Sequence, residues 1–349
     1  MSIFVSIISY KDAELVKTIK HLLHNAENPK DIHIGVVSQH FPSKHPDLSF
    51  VKNLTYHKMS FVDAKGAGYA RKIAMEMYGG QDYFLQLDSH MRFAKHWDTK
   101  MIDIHKQAQK IAKTEKVILS QFPAPYEVHT GGKDYYPQGD KDYWSDPSWT
   151  SVVNTYAGVW AGHRMTMEDK TKPHRSHTIL AAYVFAPGYL TKEVPYDERI
   201  CFMGEELCFA IRAFTRGWEI YAPNEILLWH FYQRKSHTKI WNQREDAIRK
   251  YRWIDLETLS QNTQRDILLG IEQGIYGIGD KKKYEEYQKM IGIDFKKFYG
   301  YEVDQKINDG LLVQEITFEE DIKKSNYCLT NRHSDCKVKD CQCECHKEI

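Results

Sequence analysis

Short apolar segments alternate with amphipathic ones over residues 1–90 of the chain. The segments FVSIIS and DIHIGVVSQ are rich in apolar and β-branched residues, and we predict both as strands. Residues 12–25 lie between them and carry apolar side chains at helical spacing. A second helix is predicted for GAGYARKIAMEMYGG, followed by a strand in DYFLQLD. The order β-α-β-α-β predicts a parallel, doubly wound sheet.

Strand and helix patterns continue to about residue 235. We predict a helix over residues 95–115, strands in KVILSQF and HTILAAYVFAPGYL, and a helix in GEELCFAIRAFTRGWEIYAP that is broken at Gly217 and followed by a strand. Residues 123–175 are rich in Pro, Gly, Tyr, Trp and Asp and show little periodicity. A segment of that length in a compact enzyme usually binds substrate, and we predict that role for it.

The last third of the chain has a different pattern. Residues 241–324 are charged and mostly helical, with one apolar stripe. The stripe consists of Leu256, Leu259, Ile267, Leu268 and Ile271. We therefore expect a catalytic domain over residues 1–235, a helical extension over residues 236–325 and a small Cys/His tail over residues 326–349.

Three polar residues follow the apolar run of DYFLQLD: Asp88, Ser89 and His90. Such a run is typical of a strand covered on both faces, so the triplet falls at its carboxyl end, where open α/β sheets bind ligands. Asp88 and His90 are one residue apart and could both turn toward one ion. The alternative is a plain strand end, with Asp88 capping its own backbone in an Asx-turn.

A late histidine, His230, ends the predicted strand in ILLWH. With Asp88 and His90 it supplies oxygen and nitrogen ligands, which Mn²⁺ and similar cations accept when a diphosphate fills the remaining positions. A metal ion held there would offset the negative charge of a nucleotide-sugar diphosphate. The alternative for His230, which stands between Trp229 and Phe231, is a histidine packed in the core.

Composition and charge limit the classes of function. The chain has 349 residues, of which 42% are hydrophobic and 27% charged, as in a globular protein too long for one simple core. Lys and Arg total 48 against 47 acidic residues, so no global basic field indicates a nucleic-acid partner, although local basic patches stay open. No apolar run is long enough to predict a membrane span, and the N-terminus is predicted as a strand rather than a signal peptide. We expect a cytoplasmic protein.

The cysteines are unevenly distributed. Cys201 and Cys208 lie in the main body and the other five near the C-terminus, which favours thiols or metal ligands over a disulfide framework. The potential ligands of the tail are Cys328, His333, Cys336, Cys341, Cys343, Cys345 and His346. They exceed one tetrahedral Zn²⁺ site, so four of them could bind one ion, or the set could share two. A disordered tail with free thiols is the alternative.

Several segments resemble, in order, the GlcNAc-transferase family of GT-A glycosyltransferases. They are SIISYKDAEL, VVSQ, KGAGYARKIAMEMYGGQDYFLQLDSHMRFAKHWD, AAYVFAPG and CFMGEEL. The resemblance covers about residues 1–235, and residues 66–98 are its most specific part. Eukaryotic members modify hydroxyproline on a cytoplasmic protein, and phage members that look similar are associated with TET-type oxygenases and hydroxymethylated DNA. The resemblance implies an α/β GT-A nucleotide-sugar-binding fold with a doubly wound mixed sheet.

The same resemblance implies roles for individual residues. Asp88 and His90 would hold Mn²⁺ or Mg²⁺, and His230 matches a late metal-binding histidine. The implied donor-binding residues are Ser9, Tyr10, Asp12, Arg71, Asp88 and Ser89. Glu205 and Glu206, which with Asp88 form the implied catalytic set, match a GGE-type motif on the acceptor side. This chain has MGEE, with one glycine, so either glutamate could point into the site.

Three of these residues have structural alternatives. Tyr10 could stack on the uracil base or simply pack over the edge of the sheet. Arg71 could face the nucleotide from a helix N-terminus or be a surface residue paired with an acid. Glu206 could act in the site or only complement a helix dipole.

The resemblance implies a retaining transferase that uses a UDP-sugar donor. Front-face attack by the acceptor hydroxyl is the expected mechanism, and a double displacement through a carboxylate is the alternative. The acceptor we expect is 5-hydroxymethylcytosine in the DNA of a phage or virus, inside the infected cell. Protein hydroxyproline, and then a small molecule or glycan, are the alternatives.

Two further interpretations stay open. The segment KIWNQREDAIRKYR is compatible with a duplex-binding surface, and equally with a charged helix that has an apolar face. A different class of protein would be a non-catalytic module with a nucleotide-sugar fold, recruited to partners by its zinc tail.

Overall fold

The computed structural model describes residues 1–128, 171–232 and 238–299, together with short strands between residues 134 and 165. In chain order, the strands are β1 Ile3–Tyr10, β2 Ile32–His40, β3 Leu54–Ser60, β4 Tyr83–Asp88, β5 Met91–Phe93, β6 Val117–Leu119, β7 Ala124–Pro125, β8 Glu127–Val128, β9 Asp134–Tyr135, β10 Ser148–Trp149, β11 Val153–Thr155, β12 Val159–Ala161, β13 Arg164–Met165, β14 His174–Ser176, β15 Tyr183–Pro187, β16 Glu219–Ala222 and β17 Leu228–His230. The α-helices are α1 Leu15–Asn25, α2 Ala67–Glu76, α3 Trp97–Ala112, α4 Leu190–Glu193, α5 Glu205–Thr215, α6 Gln243–Asp246, α7 Trp253–Leu268, α8 Lys281–Ile291 and α9 Phe295–Phe298.

Eight strands form one mixed sheet in the order β14-β16-β6-β15-β4-β1-β2-β3. The neighbours β4, β1, β2 and β3 are parallel, whereas β15 runs antiparallel to both β4 and β6. The predicted β-α-β-α-β unit is present as β1, α1, β2, α2 and β4. The α/β fold with a mixed sheet is therefore confirmed.

The sequence pattern does not predict β3, which is one of the two edge strands of the sheet. Its residues LTYHKMS are partly buried or exposed, and none is fully buried. An edge strand with polar side chains lacks the apolar run that identifies central strands.

Two apolar layers cover the two faces of the sheet. Val5 and Ile7 of β1 belong to one layer and Phe4 to the other, because successive side chains of a strand point to opposite faces. The first layer includes α1 and α3, and the second includes α5, α7 and α8. β4 is buried on both faces, as its apolar run predicted, with Leu85 in the first layer and Phe84 in the second.

The helices of the C-terminal part pack on the second layer. Ile267 and Leu268 of α7 are buried there together with Tyr287 of α8. The predicted apolar stripe is wrong at two positions, because Leu259 and Ile271 are exposed.

The buried face of α7 is partly polar instead. Ser260 and Gln264 are buried because their side chains hydrogen-bond to the backbone of Cys201 and Met203, in the loop before α5. An apolar stripe could not supply these hydrogen bonds.

Some predictions lie outside what the structure tests. The zinc tail over residues 326–349 and most of the segment 123–175 fall outside the described residues, and the domain boundary after residue 235 stays a prediction. Among the described helices, none has the length and apolar character needed to cross a membrane.

Candidate active site

The polar triplet at the end of β4 meets the end of β17. β17 pairs antiparallel with β5, and the Phe231 N–H donates to the His90 carbonyl. This pairing brings His230 Nε2 to 2.9 Å from His90 Nε2 and 3.3 Å from Asp88 Oδ2. His90 Nε2 lies 3.6 Å from the same carboxylate oxygen. The structure thus brings the three predicted metal ligands together.

Asp12 holds His90 in a defined orientation. Its Oδ2 lies 2.9 Å from His90 Nδ1 and accepts the Ser89 hydroxyl at 2.9 Å, while Oδ1 accepts the Glu14 N–H at 2.9 Å. A proton on Nδ1, donated to Asp12, leaves the Nε2 lone pair directed at His230 and Asp88. Metal-binding histidines are usually oriented in this way. Asp12 therefore contacts Nδ1 of the His90 ring, on the side away from the predicted ligand atom Nε2, and is not itself one of the three predicted ligands.

The converging atoms fit a divalent cation. One carboxylate oxygen and two imidazole nitrogens lie within 4.8 Å of one another, a set that Mn²⁺ accepts. Burial tends to raise the pKa of Asp88, but the hydrogen bond from His230 and the charge of Arg71 outweigh it and hold the pKa well below its usual range. His230 Nδ1 is buried without a hydrogen-bond partner among the described residues, so a ring proton can move there when Nε2 binds a cation.

Arg71 is buried beside these three residues. Its Nη2 donates to Asp88 Oδ1 at 2.9 Å, and its Nε lies 3.4 Å from Glu205 Oε2, near enough for an ion pair but not aligned for a hydrogen bond. Burial tends to lower the pKa of Arg71, but the charges of Glu205 and Asp88 raise it above its ordinary value. Within the described part of the chain, Nε and Nη1 have no hydrogen-bond partner. A buried cation with unused donors suits an anionic ligand.

The N-terminus of α2 opens on the same space. Gly66 precedes the helix with φ +108°, and a Cβ at this position would overlap the backbone of Cys201. Only glycine fits both conditions. Gly66 and Ala67 line the cavity, and although the Ala67 N–H donates to the Cys201 carbonyl, the positive end of the helix dipole at this place favours anions.

Glu205 and Glu206 begin α5 directly after Gly204, and they have different partners. Glu206 Oε1 accepts the Ala181 N–H at 2.9 Å, whereas Glu205 lies beside Arg71. Burial raises the pKa of Glu206 to about 7 and also raises the pKa of Glu205 above its usual range. The two neighbouring carboxyl groups therefore have different surroundings, Glu206 at a backbone N–H and Glu205 beside the Arg71 cation.

These groups line one cavity of about 320 Å³, within the range of small-ligand sites. The predicted site residues that line it are Tyr10, Asp12, Arg71, Asp88, Ser89, His90, Glu205, Glu206 and His230. Ser9 is buried and is not among the lining residues. The seven predicted zinc ligands lie outside the described residues.

Sequence reasoning missed other lining residues, among them Gln39, Phe202, Tyr232, Lys239 and Trp241. Gln39 stands next to Tyr10 in the register of β1 and β2, so the shared edge of two parallel strands was an available signal. Phe202 and Trp241 meet only in the folded chain, with ring centroids 5.1 Å apart. Trp241 also packs near Trp253, so these two rings form a local apolar contact, and within the segment KIWNQREDAIRKYR only Gln243–Asp246 is an α-helix.

Comparison with known proteins gives a family and a fold. The family model described as Glycosyltransferase (GlcNAc) matches residues 2–52 and 42–297. No curated protein matches the chain. The crystal structure of GalNAc-T7 with UDP, GalNAc and Mn²⁺ superposes with a TM-score of 0.53 and 14% identity, over 88% of this chain. This chain spans 58% of the length of that one.

A second solved structure, S. aureus TarS 1–349 in complex with UDP, has a TM-score of 0.46 and 11% identity, over 93% of this chain and 78% of the other. At identities this low, a superposition can show only a shared fold. The GalNAc-T7 structure shows one, because its TM-score is above 0.5, whereas the TarS structure does not. The family match is broader than the resemblance in the sequence, because it runs past residue 235 to residue 297 and so includes α7 and α8. Since that match covers most of its length, the chain belongs to the GlcNAc glycosyltransferase family.

Proposed function

We propose that this glycosyltransferase moves a sugar, GlcNAc in the first instance, from a UDP-sugar to a hydroxyl group, with Mn²⁺ or Mg²⁺ held by Asp88, His90 and His230. The observation that carries the proposal is the convergence of these three ligand atoms beside the unused donors of Arg71. A cation bound there would neutralise charge on the diphosphate leaving group. The complex of GalNAc-T7 with UDP, GalNAc and Mn²⁺ agrees with a donor of this kind.

The chain's own residues would divide the work as follows. Arg71 and the N-terminus of α2 bind the diphosphate oxygens, and Asp12 keeps His90 in its ligating orientation. Glu206, fixed by the Ala181 N–H, faces the sugar and the acceptor. Retention by front-face attack is the proposed course, in which the acceptor proton passes to the departing phosphate oxygen. A double displacement with a glutamate nucleophile is the competing course.

For the acceptor, we propose 5-hydroxymethylcytosine in DNA, and a surface near the cavity supports a phosphate-rich partner. At the ends of β1, β2 and β3, Lys11 Nζ lies 4.7 Å from the ring centre of Phe41 and 4.3 Å from that of Phe61. Lys44 Nζ lies 5.5 Å from the Phe41 ring. His40 lies near these cations: burial first, and then the charges of His45, Lys11 and Lys44, lower its pKa.

A second group of lysines and rings adjoins the first. Lys65 Nζ lies 4.8 Å from the ring centres of both Tyr69 and Tyr251, and Lys250 Nζ lies 5.4 Å from Tyr251. The Lys250 N–H donates to the Val62 carbonyl, directly after Phe61. Alternating cations and rings are typical of surfaces that bind phosphates and bases of nucleic acids.

The experiment is transfer by the full chain from UDP-GlcNAc with Mn²⁺, followed by mass spectrometry of the acceptor. We expect GlcNAc on a duplex that contains 5-hydroxymethylcytosine and none on the same duplex with unmodified cytosine. Asp88→Asn, which keeps the shape of the side chain, should lose transfer to the modified duplex.

A hydroxyproline peptide serves as the second acceptor. If only the peptide is labelled, the protein is still a glycosyltransferase, but its acceptor is hydroxyproline rather than 5-hydroxymethylcytosine. UDP binding with neither UDP release nor transfer to any acceptor would favour the non-catalytic module. The cytoplasmic location and the zinc tail stay predictions from the sequence.

A further inference from the structure

One residue of β4 departs from the apolar pattern of that strand. Gln86 is 0% exposed, stands between Leu85 and Leu87, and does not line the cavity. Burying an amide costs free energy unless it forms hydrogen bonds, so an apolar side chain would suit the core of the sheet better. Exceptions of this kind are expected where function requires them.

The amide of Gln86 serves as a hydrogen-bond donor. Its Nε2 donates to the Ala181 carbonyl at 2.8 Å and to the Tyr196 hydroxyl at 2.9 Å. Among the described residues, its Oε1 has no hydrogen-bond partner. Gln86 therefore contacts its surroundings through two N–H groups, and one of them reaches a residue of the cavity wall, Ala181.

Ala181 in turn holds Glu206. The Ala181 N–H donates to Glu206 Oε1 at 2.9 Å, while the Ala181 carbonyl accepts from Gln86. The Leu180 carbonyl, which shares a peptide group with the Ala181 N–H, accepts the Tyr183 N–H at 3.0 Å. Hydrogen bonds therefore fix both peptide groups that flank the Ala181 Cα. Without the Gln86 amide, the second of these groups would lose its donor and could rotate.

We infer that Gln86 is a positioning residue for Glu206: by holding the Ala181 carbonyl, it keeps the Ala181 N–H directed at the Glu206 carboxyl group. The inference rests on the proposed function, in which Glu206 faces the sugar and the acceptor. It adds a residue outside the cavity to the groups on which transfer depends. If Gln86 only stabilised the sheet, its loss would lower stability and would impair transfer and donor hydrolysis equally.

Steady-state rates of the full chain with UDP-GlcNAc and Mn²⁺ test the inference. Transfer to the 5-hydroxymethylcytosine duplex or the hydroxyproline peptide, whichever the wild type labels, is compared with UDP-GlcNAc hydrolysis without acceptor. Gln86→Met keeps the length of the side chain but removes the donors, and Gln86→Asn keeps an amide that is one methylene shorter. In both variants we expect the ratio of transfer to hydrolysis to fall about three- to tenfold, because misplacing Glu206 impairs the acceptor step most.

A double variant separates positioning from general damage. Once residue 206 has lost its charge, its position matters less, so adding Gln86→Met to Glu206→Gln should lower the ratio by less than about twofold further. Tyr196→Phe is the matched control, since it removes the second acceptor of the Gln86 amide and keeps the contact with Ala181. This control should keep the wild-type ratio, and thermal unfolding checks the fold of each variant.

Three results would overturn the inference and leave the proposed function intact. They are a wild-type ratio in both Gln86 variants, an equal fall of the ratio with and without Glu206→Gln, and a fall in Tyr196→Phe as large as in Gln86→Met. An unchanged ratio in Glu206→Gln itself would contradict the role of Glu206 and the inference with it. A wild type that transfers to neither acceptor overturns both the inference and the proposed function.

Discussion

Asp12 lies beside the proposed metal ligands and makes three hydrogen bonds, to His90, Ser89 and the Glu14 N–H. We expect Asp12→Ala to lower Mn²⁺ affinity 10- to 100-fold, because the His90 ring loses the partner that fixes its tautomer. Titration of free Mn²⁺ by electron paramagnetic resonance measures the change. Asp12→Asn keeps one acceptor oxygen, so its Mn²⁺ affinity should lie between those of the wild type and Asp12→Ala. Unchanged Mn²⁺ affinity in Asp12→Ala would show that Asp12 has no positioning role.

The two neighbouring glutamates should differ in effect. Glu206→Gln keeps an oxygen for the Ala181 N–H but loses its charge, so we expect transfer to the acceptor to fall about tenfold or more beyond any loss of UDP-sugar hydrolysis. Glu205→Gln removes the charge beside Arg71 and should alter donor affinity instead. Steady-state rates of transfer and hydrolysis separate the two roles. A parallel loss of both reactions in Glu206→Gln would place that residue on the donor side.

His105 gives stability a pH dependence unrelated to the active site. Burial lowers its pKa from 6.5 to about 4, and its ring hydrogen-bonds to the Val117 carbonyl. The unfolded chain binds this proton first, so the contribution of neutral His105 is complete above pH 6.5 and is lost as the pH falls toward 4. The loss is on the order of 2–3 kcal/mol.

His105→Gln keeps a donor for the Val117 carbonyl and cannot ionise. Urea unfolding at about pH 7 and about pH 4.5 should therefore show a smaller acid loss in the variant than in the wild type. Carboxylates titrate in both proteins and cancel in the comparison. If acid lowers the unfolding free energy of both proteins equally, His105 binds its proton in the folded state as readily as in the unfolded chain, and its pKa is not lowered by burial.

Among the secondary-structure elements, α2 depends on the close approach of its first turn to the loop at Cys201. Gly66 and Gly80 both have positive φ, at +108° and +97°, but a Cβ meets backbone only at Gly66. We expect Gly80→Ala to cost about 1–2 kcal/mol of unfolding free energy and Gly66→Ala at least twice as much.

Gly66→Ala should also weaken UDP binding, because the displaced N-terminus of α2 lines the cavity, whereas Gly80→Ala should not. Urea unfolding and UDP titration give the two readouts. If both variants lose the same stability, the steric argument fails and only the backbone conformation matters.

The elements that could be predicted are those whose own side chains decide burial. β1, β2 and β4 are rich in apolar residues because both faces of each strand are covered, and that signal is local. β3 has one open edge, so its polar sequence contains no such signal. Leu259 matched the helical period of α7 but lies on the exposed face, because the loop before α5 needs hydrogen bonds and so takes the polar face.

The same distinction applies to the site. Asp88 and His90 were predictable because they are adjacent at one strand end, and His230 followed from a second strand end. The role of Asp12 toward His90 depends on the path of a loop, which no spacing encodes. Phe202 and Trp241 meet through tertiary packing across a long stretch of chain.

At the scale of the whole molecule, the tail should be separable from catalysis. Truncation after Ser325 should leave UDP-GlcNAc hydrolysis nearly unchanged, remove bound Zn²⁺ and weaken binding to DNA. The lost affinity should be steeply dependent on salt, because phosphate contacts release counterions. Metal analysis and binding at several salt concentrations measure these effects. A full chain without zinc, or a truncated chain that modifies its acceptor equally well, would contradict this role of the tail.

The contact between α7 and the loop before α5 limits where the chain can be cut when parts of the protein are exchanged. Ser260 Oγ accepts the Cys201 N–H at 3.2 Å and Gln264 donates to the Met203 carbonyl, immediately before Glu205 and Glu206. The helix α7 therefore holds the loop that leads into the two glutamates. Ile240 and Trp241, which precede α7 in the chain, form part of the cavity wall. Chimeras that join this catalytic unit to a new recognition module should place the junction after α9, which ends at Phe298, because a cut at residue 235 removes the support of the two glutamates and one wall of the proposed donor site.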